Sequence, residues 1–342
     1  MSAPASDLLG RPLRDLRISV TDRCNFRCTY CMPKEVYGST HPFLPRTEIL
    51  SFEEITRLAA LFLPLGVGKL RLTGGEPLLR RDLAHLVRML RPLPGLQEIA
   101  LTTNGALLKE HAAPLHQAGV DRITVSLDSL DPATFAAMAD VQTPLDHVLA
   151  GIEAARTAGF SPIKINAVIR RGVNEHAILA LADHFKDRAY IVRFIEYMDV
   201  GETNAWRMED VVPAAEILAT LRSRFALEPL PALYTGEVAR RFRHTAPGSG
   251  GEVGLITSVT QPFCGDCTRA RLSADGQLHT CLFSGAGISL RDPLRAGASD
   301  DQLRALIHAA WSARTDRYSE IRFSKTPGPA SAPKPEMSRL GG

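Results

Sequence analysis

Short apolar runs alternate with amphipathic stretches along residues 16–195. Runs of five or six residues rich in Ile, Val and Leu predict β-strands, and apolar positions that repeat every three or four residues predict helices. Because strands that alternate with helices form parallel sheets, we expect an α/β fold of six β/α units arranged as a partial barrel, with an open doubly wound sheet as the alternative. The six strands are predicted at 16–20, 69–73, 98–102, 122–127, 163–168 and 190–195.

The first helix of this pattern has a clear start. Ser51 and Glu54 have the spacing of a capping box, and apolar residues then recur at helical intervals up to Phe62. Polar and glycine residues follow each strand, and in barrel enzymes this end of the strands carries the active site. The remaining helices are predicted at 82–90, 107–117, 145–157, 175–187 and 301–313.

The alternation stops near Pro229, so the chain is predicted to have three parts. Residues 8–228 form the barrel, and residues 229–325 form a C-terminal region of short mixed runs. Residues 326–342 form an extended, proline-rich tail that ends in Gly-Gly. Within the C-terminal region, residues 269–283 predict a β-hairpin with its turn at residues 274–276.

Composition and charge exclude several classes of protein. The chain has 342 residues, and 45% of them are hydrophobic, which is enough for a sizeable core. The net charge of +3 is too small to indicate a nucleic-acid surface, and no apolar run reaches the roughly 18 residues of a membrane span. The N-terminus lacks the apolar segment of a signal peptide, and the cysteines fall in two groups, so we expect a protein of the reducing cytoplasm.

The first cysteine group directly follows the first predicted strand. Cys24, Cys28 and Cys31 have C-x3-C-x2-C spacing, and three soft sulfur ligands on one tight loop favour an iron–sulfur cluster. A four-iron cluster held by three cysteines has one iron open to a non-protein ligand, which indicates chemistry rather than electron storage. The alternatives are a zinc knuckle with a remote fourth ligand and structural disulfides.

The second cysteine group lies on the predicted hairpin. Cys264, Cys267 and Cys281 have C-x2-C-x13-C spacing, and the hairpin would bring Cys281 back to the first two thiols. His279 stands two residues before Cys281, so the spacing is equally consistent with a zinc site of three cysteines and one histidine. The residues alone leave both possibilities open.

Gly74, Gly75 and Glu76 follow the second predicted strand. Glycines allow a backbone to approach a ligand closely, and a carboxylate beside them can pair with an ammonium group. An ordinary strand-to-helix turn is the alternative.

Seven cations indicate a site for a polyphosphate inside the barrel. Arg269 and Arg271 alternate on the hairpin and so share one face, where an anion such as phosphate would compensate their charges. Surface positions would be the ordinary alternative for such residues. The other five lie within the predicted strands, at Arg17, Lys69, Arg71, Lys164 and Arg193.

The first cysteine motif, with Tyr30 before its last cysteine, resembles that of the radical S-adenosylmethionine (SAM) enzymes. Further stretches resemble the GTP 3′,8-cyclases of that superfamily along nearly the whole chain. They are RLTGGEPLLRRDL, LTTNG, VSLDSLD, RFIEYMDVG, GEVARRFRH, ITSVTQPFCGDCTRARLSADGQLHTCLF and the terminal Gly-Gly. The resemblance implies a partial (β/α)6 radical SAM barrel with a C-terminal extension that carries a second iron–sulfur cluster. The implied cofactors are two 4Fe-4S clusters and SAM.

The resemblance also implies a reaction. The family converts GTP to (8S)-3′,8-cyclo-7,8-dihydroguanosine 5′-triphosphate, the first step of molybdenum cofactor (molybdopterin) biosynthesis. A 5′-deoxyadenosyl radical takes hydrogen from C3′ of GTP, and the resulting carbon radical adds to C8 of guanine. One-electron reduction and protonation of that adduct then give the product. Implied partners are an electron donor of unknown identity, the downstream cyclic pyranopterin monophosphate synthase and a second copy of the chain in a homodimer. We expect no nucleic-acid or membrane partner.

Motifs and resemblance together give each candidate residue a role. Cys24, Cys28 and Cys31 are expected to hold the radical-generating cluster, and Cys264, Cys267 and Cys281 the second cluster, whose open iron faces the guanine. The residues expected around SAM are Tyr30, Gly74, Gly75, Glu76, Ser126 and Met198. The residues expected around GTP are Arg17, Lys69, Arg71, Thr102, Lys164, Arg193, Arg269 and Arg271. Gly341 and Gly342 are expected to reach into the active site and assist catalysis.

Two other functions remain open. One is a radical SAM enzyme that acts on a peptide or a tetrapyrrole and uses the C-terminal cluster as an electron relay; such enzymes usually have more C-terminal cysteines. The other is a non-enzymatic iron–sulfur carrier, which would need neither the Gly-Gly-Glu-Pro stretch nor a large barrel.

Overall fold

Six parallel strands form the centre of the protein, whose computed structural model describes residues 4–186, 190–234, 236–246, 249–283, 285–323 and 334–341. All six predicted strands are confirmed, and their ends differ from the prediction by one residue at most. They are β1 (Asp15–Ser19), β2 (Lys69–Thr73), β3 (Glu98–Thr103), β4 (Arg122–Ser126), β5 (Ile163–Ile169) and β6 (Tyr190–Glu196).

The C-terminal region extends this sheet at both edges. Six further strands follow, namely β7 (Leu227–Leu230), β8 (Arg240–His244), β9 (Glu252–Ile256), β10 (Arg269–Leu272), β11 (Gln277–His279) and β12 (Ile288–Ser289). The strand order is β12-β11-β10-β1-β2-β3-β4-β5-β6-β9-β8-β7. Strand β10 is parallel to β1 and β9 is parallel to β6, while the outer strands are antiparallel. The predicted partial barrel is confirmed as an unclosed α/β sheet, and residues 229–325 contribute to that same sheet.

The longer helices pack on the apolar outer face of the strands. Predicted helices are confirmed within two residues at each end, and Ser51 and Glu54 do form a capping box. Two helices within residues 8–228 were not predicted, over Pro132–Ala139 and Ala214–Arg222. The first has little helical periodicity, and the second lies after the last predicted strand. The helices are α1 (Phe52–Phe62), α2 (Leu83–Leu90), α3 (Leu108–Ala118), α4 (Pro132–Ala139), α5 (Leu145–Thr157), α6 (Ala177–Phe185), α7 (Ala214–Arg222), α8 (Arg291–Arg295), α9 (Asp300–Ser312), α10 (Tyr318–Ile321) and α11 (Met337–Leu340).

The two faces of each strand differ in chemistry. On β1, Leu16 and Ile18 are fully buried beneath the helices, while Arg17 between them points to the opposite, inner face. The register aligns Arg17 with Arg71 on β2 and with Arg271 on β10. Because side chains alternate along a strand, this register gathers cations on the inner face and apolar residues on the outer face.

The predicted hairpin is present, whereas part of the tail that was predicted to be extended is helical. Strands β10 and β11 form the antiparallel hairpin, and Gly276 in its turn has a φ of +77°. The tail differs from the predicted extended form, because residues 337–340 form the short helix α11. Residues 324–333 and Gly342 lie outside the described residues. Among the described residues, no helix combines the length and apolar character that a membrane crossing requires.

Replacing Ser51 by Ala is expected to lower the free energy of unfolding by about 1 kcal/mol, because the N-terminus of α1 then has one unsatisfied amide. The Glu54 amide donates to Ser51 Oγ at 3.1 Å, and the Ser51 amide donates to Glu54 Oε2 at 2.7 Å. A urea titration of the apoprotein followed by circular dichroism measures the change. Ser223→Ala, at an exposed position after α7, is the control; equal losses in both variants would contradict the prediction.

Candidate active site

The first cysteine group lies in the loop after β1, at the carboxyl end of the barrel strands. Cys24, Cys28 and Cys31 are free thiols, and the Cys31 amide donates to the Cys28 carbonyl at 2.9 Å. Burial raises the pKa of Cys24 to about 11. Burial, and then the charges of Cys31 and Cys24, raise the pKa of Cys28. Three thiolates here would repel one another unless a cationic group lay between them, and this donor set fits an iron–sulfur cluster.

Gly74 and Gly75 contact the cysteine loop directly. The Gly75 amide donates to the Thr21 carbonyl at 2.9 Å, and the next amide, of Glu76, donates to the Arg23 carbonyl at 2.8 Å. A Cβ atom on Gly75 would lie 2.3 Å from the Arg23 carbonyl oxygen, and Gly74 has a φ of +150°. Side chains here would push the two segments apart, so the glycines hold the cysteine loop against the end of β2.

The Glu76 carboxylate is turned toward the end of β3 and is 1% exposed. Thr103 Oγ1 donates to it at 2.7 Å, as do the amides of Asn104 at 2.7 Å and Leu78 at 2.9 Å. Burial raises the pKa of Glu76 to about 7, although these hydrogen bonds oppose the rise. The carboxylate therefore joins the ends of β2 and β3, and its contact with the amino group of SAM stays a prediction.

Tyr30 is fixed by a carboxylate that the sequence analysis did not select. The Tyr30 hydroxyl donates to Asp128 Oδ2 at 2.7 Å, and the Val168 amide donates to Asp128 Oδ1 at 2.8 Å. Burial raises the pKa of Asp128 to about 6 despite these bonds. The signal that could have identified Asp128 is its place two residues after Ser126, the last residue of β4.

Asn104 was also missed, although it is the first residue after β3. Its side-chain amide donates to Asn25 Oδ1 at 2.8 Å and approaches Cys24 Sγ at 3.9 Å. The Asn104 side chain therefore supports the cysteine loop from the neighbouring strand.

The second cysteine group adjoins the amino end of β10. Residues Cys264–Asp266 form one turn of 3-10 helix, and Arg269 Nη2 donates to Cys267 Sγ at 3.4 Å. Burial acts to raise the pKa of Cys267, but the guanidiniums of Arg269, Arg314 and Arg271 lower it to about 6. A thiol that ionises near neutral pH is suited to metal ligation. This donor set also fits an iron–sulfur cluster.

Among the described residues, no three His, Cys, Asp or Glu side chains are close enough together to ligate one metal ion. The three thiols of each group can serve a four-iron cluster, in which each cysteine binds a different iron.

One cavity joins the second cysteine group to the inner face of the barrel. All three of these cysteines line it, and so do Asn166, Arg314 and Asp316, which the sequence analysis did not select. From the predicted SAM residues, Met198 lines it. From the predicted GTP residues, its walls contain Arg17, Arg71, Thr102, Arg193, Arg269 and Arg271.

The cations around this cavity repel one another. Burial, followed by the charge of Arg193, lowers the pKa of Lys164 to about 6. Burial and the charge of Arg71 lower the pKa of Arg193 to about 9. Arg271 Nε and Nη1 are buried without a hydrogen-bond partner among the described residues. Buried, unpartnered guanidinium groups fit a polyanionic ligand in the cavity.

Lys69 lies apart from the cavity, at the amino end of β2. Its Nζ is 2.8 Å from Glu98 Oε1, and Glu98 also pairs with Arg122. Although burial raises the pKa of Glu98, hydrogen bonds from Arg122 and Lys69 lower it to about 2. In this structure Lys69 thus has a carboxylate partner, unlike Nε and Nη1 of Arg271.

The last described residues of the tail lie inside the barrel. Arg17 Nη1 donates to the Gly341 carbonyl at 3.3 Å, and Ser19 Oγ donates to the Arg339 carbonyl at 2.9 Å. A Cβ atom on Gly341 would lie 2.0 Å from Thr73 Cγ2, and its φ is +68°. The position therefore accepts glycine alone without displacement of the tail.

Two family models divide the chain between them. Residues 18–185 match the Radical SAM superfamily, and residues 190–320 match Molybdenum Cofactor Synthesis C. Among solved structures, that of Streptococcus suis SuiB bound to S-adenosylmethionine aligns with a TM-score of 0.58 at 16% identity. The alignment covers 79% of this chain and 60% of that chain. Because the identity is low, the alignment shows the fold alone.

Curated relatives extend the match over the full length. The GTP 3′,8-cyclase of Acidothermus cellulolyticus is 56% identical over 364 aligned positions, with 100% of both chains covered. The GTP 3′,8-cyclase of Staphylococcus haemolyticus is 47% identical, again over 100% of both chains. The GTP 3′,8-cyclase of Xanthomonas campestris pv. campestris is 50% identical over 94% of both chains. The chain therefore belongs to the GTP 3′,8-cyclase family of radical SAM enzymes.

Proposed function

We propose that this chain converts GTP to (8S)-3′,8-cyclo-7,8-dihydroguanosine 5′-triphosphate in the cavity between its two cysteine groups. This reaction is the first step of molybdenum cofactor biosynthesis and is the activity of the family. The observation that carries the assignment is the cavity itself, whose walls combine a cysteine triad with six of the eight predicted GTP residues. A carrier of electrons would need no such cationic chamber.

The two cysteine groups are the proposed ligands of two 4Fe-4S clusters. Cys24, Cys28 and Cys31 would hold the first, close to SAM, and the C-terminal three cysteines the second. When bound, the first cluster and SAM supply a 5′-deoxyadenosyl radical. The proposed SAM contacts are Tyr30, Gly74, Gly75, Glu76, Ser126 and Met198.

The cations of the barrel are the proposed GTP ligands. Arg271, with two unpartnered nitrogen atoms, is aimed into the cavity, and Arg17 and Arg71 adjoin it in register. Guanidinium groups bind phosphate oxygens through paired hydrogen bonds, which orients the nucleotide as well as neutralising it. Thr102, Lys164, Arg193 and Arg269 complete this set. Lys69 would join it by leaving Glu98.

The tail is the proposed seal of the active site. Support comes from the contact of Arg17 with the Gly341 carbonyl and from the tight packing of Gly341 on Thr73. A tail in this position excludes water from reactive groups and adds a peptide carbonyl to the wall beside Arg17. We also propose that Gly341 and Gly342 assist catalysis.

The proposal extends to the partners of the chain and to its location in the cell. The chain would act in the cytoplasm as a homodimer, receive electrons from a donor of unknown identity and pass its product to cyclic pyranopterin monophosphate synthase. GTP would be its nucleotide partner, with no nucleic-acid or membrane partner.

An anaerobic turnover experiment tests the function. The protein is reconstituted with iron and sulfide, reduced in the presence of SAM, and supplied with GTP, ATP or no nucleotide. We expect 5′-deoxyadenosine and a cyclised nucleotide with GTP, and little of either with ATP. Equal 5′-deoxyadenosine under all three conditions would keep the SAM chemistry but remove GTP as the substrate.

GTP binding is expected to take up a proton through Lys164. The pKa of this lysine is lowered to about 6 by burial and then by Arg193, so the free protein holds it neutral at pH 8. A bound triphosphate would favour the charged form and raise this pKa, so uptake occurs between about pH 6 and the ordinary lysine pKa. Isothermal titration calorimetry in two buffers of different ionisation enthalpy measures the number of protons.

Lys164→Met is the matched variant for this measurement. Titration of the phosphate itself contributes equally to both proteins, so the difference between them isolates the lysine. Equal proton uptake by wild type and Lys164→Met would show that Lys164 does not change its protonation.

Gly341→Ala is expected to abolish most of the activity and to leave cluster content and GTP affinity nearly unchanged. The added Cβ atom would collide with Thr73 and displace the tail from Arg17. Iron analysis, GTP titration and turnover measure the three quantities. Gly172→Ala is the control, because Gly172 has a similar φ of +71° but open space around it. Full activity of Gly341→Ala would exclude the proposed seal.

A further inference from the structure

Three charged side chains are buried together beside the second cysteine group. Asp7, Arg11 and Arg314 have side chains that are 0%, 2% and 1% exposed. Arg11 Nε lies 2.6 Å and Arg314 Nη1 lies 3.3 Å from Asp7 Oδ2. We refer to these three residues as the Asp7 clasp. Buried charges are costly unless they are paired and hydrogen-bonded, so this clasp requires accurate geometry.

Both arginines of the clasp hold the backbone of the cysteine loop. Arg11 Nη1 donates to the Cys264 carbonyl at 2.7 Å, and Arg314 Nη1 donates to the Cys267 carbonyl at 2.8 Å. Arg11 Nη1 also donates to the Asp316 carbonyl at 2.7 Å. The N-terminal segment and the segment after α9 therefore meet at this loop, and each provides one arginine to it.

The clasp is itself fixed on the side away from the cysteines. Asp7 Oδ1 accepts hydrogen bonds from the amides of Leu9 and Arg11, both at 2.9 Å. The Arg314 guanidinium lies 4.6 Å from the centre of the Trp311 ring, and Trp311 Nε1 donates to the Arg11 carbonyl at 3.1 Å. Each guanidinium thus has a fixed position from which to orient the loop.

We propose that Asp7, Arg11 and Arg314 are positioning residues for the second iron–sulfur cluster. They set the separation of Cys264 and Cys267, and the two guanidinium groups against the loop stabilise the reduced, more negative form of the cluster. The proposal rests on the ligation of that cluster by the C-terminal cysteines, as stated under the proposed function. Protein groups that hold metal ligands typically change metal affinity 10- to 100-fold when they are replaced.

Asp7→Asn and Arg11→Gln provide the sharpest test, because Asp7 and Arg11 are absent from the cavity wall that would contact GTP. Both variants are made in the full chain with both clusters reconstituted. The rate at which a chelator removes iron is followed separately for each cluster by Mössbauer and electron paramagnetic resonance spectroscopy. We expect loss of the second cluster to accelerate at least about 10-fold in both variants, with the first cluster unchanged. Asp301→Asn, 90% exposed on α9, is the matched control.

Redox titration of the second cluster separates an electrostatic role from a merely structural one. Asp7→Asn removes a negative charge and is expected to raise the midpoint potential of the second cluster. Arg11→Gln removes a positive charge and is expected to lower that potential. Arg11→Lys, which keeps the charge, should retain the potential and lose cluster stability.

Two results would overturn the inference. In one, the variants lose iron from both clusters at the wild-type rates, or faster by the same factor at both clusters. That result would show that the clasp has no specific link to the second cluster. In the other, the midpoint potential of the second cluster shifts in the same direction in Asp7→Asn and Arg11→Gln. That result would exclude an electrostatic effect of the clasp on the cluster. Absence of a second cluster from the wild-type protein would instead remove the underlying ligand assignment, and this is measured before any variant is made.

Discussion

Mutual repulsion among buried cations is the constraint on which the interior of this barrel depends. Arg17, Arg71, Lys164 and Arg193 lie on the inner face of neighbouring strands, where ordinary barrels have packed branched side chains. The pKa of Lys164, lowered to about 6 by burial and by Arg193, shows how unfavourable these charges are without an anion. The same strands bury Leu16 and Ile18 fully on their other face. The outer face therefore supplies the stability that lets the inner face serve a ligand.

The parallel pairing of β1 and β10 determines where the two cysteine groups lie relative to each other. The first cysteine group follows the carboxyl end of β1, and Cys267 precedes the amino end of β10. Because these strands are parallel and in register, the two cysteine groups lie at opposite ends of the same pair. A strand of five residues spans roughly 16 Å. Arg17 and Arg271, aligned between the ends, therefore occupy the space that a nucleotide would bridge.

Prediction from sequence succeeded where one physical effect dominated. The apolar runs marked all six barrel strands, and the Ser51–Glu54 spacing marked the start of α1, because hydrophobic burial and helix capping act locally. The short helix α4 has weak periodicity and was missed, and α7 was missed because it follows the last predicted strand and not because its pattern is weak. The helix at residues 337–340 follows from docking of the tail, which a proline-rich composition does not reveal.

Side-chain orientation was the least predictable part of the site. Glu76 was selected for its motif, yet its carboxylate bonds to Thr103 and to two amides on the chain. Asp128 and Asn104 support Tyr30 and Cys24, and the sequence marks them by their place after a strand and within the stretches VSLDSLD and LTTNG, but not by a role. Such contacts depend on how neighbouring strands are aligned, which is long-range information. Interior cations were selected because a charge in a predicted strand conflicts with burial. Most of them line the cavity, whereas Lys69 pairs with Glu98 outside it.

The two ends of the chain complete the site at opposite ends of the barrel. Near the N-terminus, Asp7 and Arg11 support the loop of the second cysteine group. Near the C-terminus, Gly341 packs on Thr73 at the end of β2, close to the first group. Burial, then the charge of Cys24 and then that of Glu336 raise the pKa of Cys31, which shows how near the tail comes to these thiols. An open barrel leaves its ends accessible to water, and radical chemistry requires that water be excluded. Under the proposed function, the terminal segments would meet this requirement without closing the sheet, and the interior would stay wide enough for a nucleotide.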